Sequence, residues 1–232
     1  MKINETRDRL ILALDVPDAD AALALARSVR ASVGVFKVGL ELFVRCGPPV
    51  VEKVAAVGKV FLDLKLHDIP ATMKGAVASA ASEKVALLTV HASNSAEALR
   101  EAVSAAGPTA VVGVTVLTSL SQEDLSDMGI GMPLERLAVS RALHCKACGC
   151  AGVVCSVHEA EKIRKACGKD FLIITPGIRP AWGDAAADDQ KRVDTPGEAI
   201  RRGADMIVVG RAIRKSPDPA GAAARILEEI GG

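Results

Sequence analysis

Tyrosine is absent from this chain of 232 residues, which carries only four phenylalanines and one tryptophan. So few rings offer no aromatic platform on which the bases of a single-stranded nucleic acid would stack. A surplus of one charge is missing too. Lys and Arg number 29 against 28 Asp and Glu, and a net charge of +1 creates no overall field that would gather nucleic acid or an anionic membrane. The longest apolar runs are of strand length, too short to span a bilayer. Met1-Lys2-Ile3-Asn4-Glu5 lacks the apolar core of a signal peptide, so the expected location is the cytoplasm. Neither a linker nor a low-complexity tract interrupts the sequence, so the expectation is one domain over 1–232.

The six cysteines form no repeated metal-ligand pattern. Cys145, Cys148 and Cys150 cluster, with Cys155 nearby and Cys46 and Cys167 apart. Cys145-Lys146-Ala147-Cys148 has redox or metal spacing, but no second such pair follows. Reduced, buried cysteine acting as a small hydrophobe is the simpler reading.

Short apolar, β-branched runs recur along the whole length, at 10–16, 33–39, 60–66, 86–91, 110–117, 152–155, 171–175 and 206–209. Helical patterns separate them, at 21–29, 50–57, 71–82, 96–105, 134–147 and 159–166. Strand–helix alternation of this kind predicts βαβ units and a parallel sheet. Its number and length suit an α/β fold of the (β/α)₈ TIM barrel type, with an open doubly wound sheet as the fallback. No Gly-x-Gly-x-x-Gly follows the first strand, against a dinucleotide-binding version. Thr195-Pro196-Gly197-Glu198 predicts a capped helix start, and Arg201-Arg202-Gly203 its end.

The segment Phe61-Leu62-Asp63-Leu64-Lys65-Leu66-His67-Asp68 reads as a buried strand, yet it is charged. Alternation puts Leu62, Leu64 and Leu66 on one face and Asp63, Lys65 and His67 on the other. Charges confined in an interior are costly unless they are paired or reactive. In a barrel, catalytic groups come from the C-terminal strand ends. Those ends carry Asp15, Lys37, Asp63, Lys65, Asp68, His91, Thr118, Arg179 and Arg211. The plain alternative for Asp63 and Lys65 is an ion pair that only holds the barrel. After the last strand, Val208-Val209-Gly210-Arg211-Ala212 suits an anion, with Gly210 allowing close backbone approach and Arg211 a bidentate contact. Gly177 stands at the preceding strand end. The stretch from Arg179 to Gln190 has the length and small residues of a closing loop, and its Trp182 suits either an anchor or loop packing.

Asp63-Leu64-Lys65-Leu66-His67-Asp68-Ile69-Pro70 resembles the D-x-K-x-x-D signature of the orotidine 5′-monophosphate decarboxylase family. Leu14-Asp15-Val16-Pro17, Phe36-Lys37-Val38-Gly39, Val114-Thr115-Val116-Leu117-Thr118-Ser119, Thr175-Pro176-Gly177-Ile178-Arg179-Pro180 and Val208-Val209-Gly210-Arg211-Ala212-Ile213 extend the similarity along the chain. The resemblance implies loss of CO₂ from orotidine 5′-monophosphate to give UMP, without metal or organic cofactor. It implies Lys65 as the cation and proton donor at the carbanion, Asp63 beside the substrate carboxylate, and Lys37 and Asp68 completing a charged network. It further implies a homodimer in which Asp68 and Thr72 act in the partner's site. Asp15 and Lys37 would then contact the ribose, Thr118 the pyrimidine, Gln190 base and phosphate, and Arg179, Gly210 and Arg211 the phosphate. The cysteine cluster lies outside that pattern.

Two other readings stay open. Related barrels share the signature strand but act on sugar phosphates with Mg²⁺, held by a Glu at the second strand end, where this chain has Lys37 and reaches Glu41 only later. A catalytically silent nucleotide-binding barrel is the third reading, one expected to have lost one of Lys37, Asp63, Lys65 or Asp68.

Overall fold

The computed structural model describes residues 3–81, 84–182 and 194–231. The strands are β1 (Leu10–Ala13), β2 (Val35–Gly39), β3 (Lys59–Leu66), β4 (Val85–His91), β5 (Ala110–Val114), β6 (Gly152–Val154), β7 (Leu172–Thr175) and β8 (Met206–Val209). All pair in parallel with their sequence neighbours, and β8 pairs with β1 to close the barrel. The expected (β/α)₈ barrel is the fold.

Around it run α1 (Ala19–Val29), α2 (Leu40–Cys46), α3 (Pro49–Ala55), α4 (Pro70–Ala80), α5 (Ala96–Ala105), α6 (Gln122–Asp127), α7 (Leu134–Ala147), α8 (Val157–Cys167), α9 (Pro196–Arg201), α10 (Arg211–Arg214) and α11 (Pro219–Gly231). The capped start expected at Thr195 is present, its side chain accepting from the Glu198 amide. Ser95 caps α5 in the same way.

Strand alternation divides the apolar residues into two cores. Ile11, Val35, Phe61, Leu87, Val112 and Ile174 fill the barrel. Leu12, Phe36, Leu62, Leu88, Val111 and Ile173 face the helices instead. Leu64 and Leu66 pack on the outer core as the pattern requires. At the N-terminal end of the barrel, Lys59 Nζ lies 2.8 Å from Asp8 in the short turn before β1, a paired charge with a structural role.

Two strands stop three residues short of their apolar runs. β1 stops at Ala13, leaving Asp15 in the following loop, and β5 stops at Val114, leaving Thr118 in a loop. Beyond β5, the Thr115 carbonyl accepts from the Arg141 guanidinium of α7 at 2.7 Å, which turns the chain out of the sheet. The clustered cysteines are thiols buried in the outer core. A Cβ on Gly113 would meet Cys145 Sγ at 2.2 Å, so glycine on β5 and cysteine on α7 are matched in size. A hydrogen bond with Cys150 and burial push the Cys145 thiol well above its ordinary value.

Candidate active site

A cavity of about 980 Å³ opens at the C-terminal ends of the strands. Phe61 and Val114 form part of its floor, and Asp15, Lys37, Asp63, Lys65, Thr118, Arg179, Gly210 and Arg211 line it. These sequence-derived candidates therefore share one space.

Parity along β2 and β3 explains why the charges meet. Lys37 lies beyond Val35 on the barrel-facing side of β2, and Asp63 beyond Phe61 on β3. Lys37 Nζ lies 3.2 Å from Asp15 Oδ1 and 3.5 Å from Asp63 Oδ2. Lys65 Nζ donates to both Asp63 oxygens at 2.9 Å. The result is an unbroken sequence of alternating charges, Asp15, Lys37, Asp63, Lys65. Burial by itself would raise the Asp63 pKa. Lys37, Lys65 and the hydrogen bonds from Lys65 and Thr89 outweigh burial and hold it below the usual carboxylate value. At neutral pH the carboxylate is therefore ionised beside two ammonium groups.

Three residues stand around this network that sequence reasoning missed. Thr89, fully buried on β4, donates to Asp63 Oδ1 at 3.0 Å. Its signal was a lone hydroxyl at a barrel-facing position of an apolar strand. Gly39 leaves room for the Lys37 ammonium, because a Cβ there would sit 2.8 Å from Nζ. Asn94 holds the loop after β3, accepting from the Asp68 amide at 3.2 Å and donating to the Leu66 carbonyl at 3.0 Å. His91 ends β4, its ring 5.7 Å from that of His67. Burial, His67 and Lys65 lower its pKa, so it adds no positive charge at neutral pH.

Asp68 and Thr72 do not line the cavity of their own chain; both are exposed, and Ile69 beside them is 66% exposed. Gln190 lies outside the described residues. On the far side of the cavity, Gly177 takes φ +77°, a conformation that favours glycine, and Arg179 follows it. Arg211 opens α10 directly after Gly210. The cavity thus joins a charged network at one end to guanidinium groups at the other, a layout suited to an anionic ligand.

Residues 8–226 match the sequence profile of the Orotidine 5'-phosphate decarboxylase / HUMPS family. A protein named orotidine 5'-phosphate decarboxylase from Anaeromyxobacter dehalogenans is 51% identical over 94% of this chain and 96% of its own length. One of the same name from Syntrophotalea carbinolica is 47% identical over 97% of this chain and 96% of its own. The crystal structure of orotidine 5'-phosphate decarboxylase from Lactobacillus acidophilus superposes with a TM-score of 0.84 at 31% identity, covering 97% of this chain and all of that one. With the match spanning the strands that carry the charged network, this chain belongs to the orotidine 5'-phosphate decarboxylase / HUMPS family.

Proposed function

We propose that this protein decarboxylates orotidine 5′-monophosphate to UMP and CO₂, the last step of de novo pyrimidine synthesis, with neither metal nor organic cofactor. The observation that carries this reading is the alternating network of Asp15, Lys37, Asp63 and Lys65 within one cavity. The names of the full-length relatives support it.

The chemical difficulty is a carbanion at an sp² carbon with no conjugated sink. The C6–carboxylate bond breaks, its electron pair stays on C6, and CO₂ departs. Lys65 then gives a proton to C6 and completes UMP. Asp63 lies where the substrate carboxylate approaches. Two like charges ~4 Å apart at an effective dielectric of 20 repel by roughly 4 kcal/mol. Departure of CO₂ removes that repulsion, whereas the attraction between Lys65 and the developing carbanion grows. The stabilisation is electrostatic and comes from groups already in place.

In this reading Asp15 and Lys37 hold the ribose, Thr118 the pyrimidine, and Gly210, Arg211 and Arg179 the phosphate. Gln190 keeps the bridging role that the resemblance gives it. Asp68 and Thr72 serve the site of a second copy in a homodimer; their exposure on the rim, next to exposed Ile69, supports that role. A Mg²⁺-dependent reaction is disfavoured by Lys37. Its ammonium lies between Asp15 and Asp63, where a divalent cation would meet a like charge.

The test is loss of orotidine 5′-monophosphate absorbance with purified protein in excess chelator. Fast turnover that resists the chelator is expected. Turnover of a sugar phosphate only after Mg²⁺ is added would overturn the reading, as would binding of the nucleotide without turnover.

A further inference from the structure

β3 departs from regular pairing where it carries its charges. Its register with β4 passes from Leu62↔Leu88 to Leu66↔Val90, so Asp63, Leu64 and Lys65 together stand opposite Thr89. The excess chain is absorbed at Lys65, with φ +52°, the one non-glycine residue in the left-handed region among the described residues. A residue with a Cβ does not hold that conformation without support from its surroundings. A bulge also separates an amide from its partner on the neighbouring strand, and a buried amide needs a replacement.

Thr89 supplies it. The Lys65 N–H donates to Thr89 Oγ1 at 2.8 Å, and the same hydroxyl donates to Asp63 Oδ1 at 3.0 Å. The direction is forced. The amide can only donate and the carboxylate can only accept, so the single hydroxyl proton points at Asp63. One atom therefore fixes the backbone that aims the Lys65 side chain and the plane of the carboxylate it meets. The terminal torsion of an Asp is otherwise soft, whereas a β-branched Thr is stiff. Thr89 is fully buried, so water is not there to replace it.

We propose that Thr89 is a positioning residue for the decarboxylation, holding Lys65 and Asp63 in register through one bifunctional hydroxyl. The inference rests on the proposed reaction for its kinetic part and on geometry alone for the rest. Thr89→Val keeps the shape and removes the hydroxyl; Thr89→Ser keeps the hydroxyl. The valine variant is expected to lose about 10²-fold in kcat for orotidine 5′-monophosphate, as misplacement of a reacting group does, with KM changed less than about threefold. The serine variant is expected to recover most of that loss. Equal kcat for the valine variant and the parent, or equal losses in the two variants, would overturn the proposal. A second measurement needs neither turnover nor a variant. The Lys65 amide of the parent protein should be strongly protected in hydrogen exchange followed by NMR. Exchange at the rate of an exposed amide would refute the Thr89 contact. A protected amide in a protein that does not turn over orotidine 5′-monophosphate would leave the contact standing and refute the reaction, and with it a role for Thr89 in that reaction.

Discussion

Replacing Asp63 by Asn tests whether the charged network is a stabilised arrangement or a burden on the fold. The carboxylate accepts from Lys65 at 2.9 Å through both oxygens, from Thr89 at 3.0 Å, and faces Lys37 at 3.5 Å. An amide keeps the shape but leaves two ammonium groups facing a neutral side chain. Removing one partner of a buried pair costs about 3–5 kcal/mol. The lower end applies here, about 3 kcal/mol, because Lys37 keeps Asp15 and the Lys65 side chain is 28% exposed. For a chain of this size that lowers Tm by roughly 6–12 °C. The pH dependence sharpens the test. A carboxyl whose pKa is depressed in the fold stabilises the protein fully above its unfolded pKa, about 3.9. It loses that contribution as pH falls through the folded value. The gap between parent and Asp63→Asn in urea unfolding should thus be constant from about pH 8 to 5 and narrow below about pH 4. A variant as stable as the parent, or a gap that widens in acid, would refute the reasoning.

Other expectations follow from single contacts. Arg211→Ala should weaken UMP binding by about 10–100-fold, the worth of a charged hydrogen-bonded contact, and leave uridine binding unchanged in calorimetry. Equal losses for both ligands would contradict a phosphate contact. Gly39→Ala places a methyl group 2.8 Å from Lys37 Nζ and 3.3 Å from Asp15 Oδ1. It should lower kcat/KM by about tenfold with an unchanged circular dichroism spectrum; parental activity would mean that the Lys37–Asp15 pair is not needed in this geometry. Lys65→Ala and Asp68→Asn should each be inactive alone. If sites are shared across a two-fold dimer, mixing and refolding the two should restore about a quarter of parental activity. A mixture as inactive as its components would place Asp68 outside the partner's site.

The barrel was legible because its strands are buried on both faces and separated by well-marked helices. Helices such as Ala96–Ala105 and Leu134–Ala147 coincide with their sequence periodicity to the residue. What escaped was local. α2 follows β2 at once, and its start at Gly39 has no side-chain cap to announce it. β5 ends early because a guanidinium from α7, distant in sequence, takes the Thr115 carbonyl. Parity along β3 correctly put Asp63 and Lys65 on one face but gave no hint of the bulge, because a bulge depends on pairing with β4. Thr89 showed in the sequence only as a lone hydroxyl on an apolar strand, and its task was hidden for the same reason. Its importance comes from the two groups across the strand, not from its own neighbours in the chain.

Height within the barrel separates two uses of paired charge. On β3, Lys59, Phe61 and Asp63 share the inward parity and rise in that order from the N-terminal to the C-terminal end. Lys59 meets Asp8 in a single pair closed by the chain's own turn. Between the two charged levels lie Phe61, Val35, Leu87 and Ile174, an apolar layer that keeps water from entering beneath the upper charges. Above that layer the charges are not closed off in pairs. Asp63 is shared by Lys37 and Lys65, and Lys37 by Asp63 and Asp15. A closed pair such as Lys59–Asp8 has little left to offer a ligand. A shared series keeps field at its ends, and both ends, Asp15 and Lys65, line the cavity. The apolar floor lowers the local dielectric and strengthens that field, which is the condition under which fixed charges stabilise a carbanion better than water does.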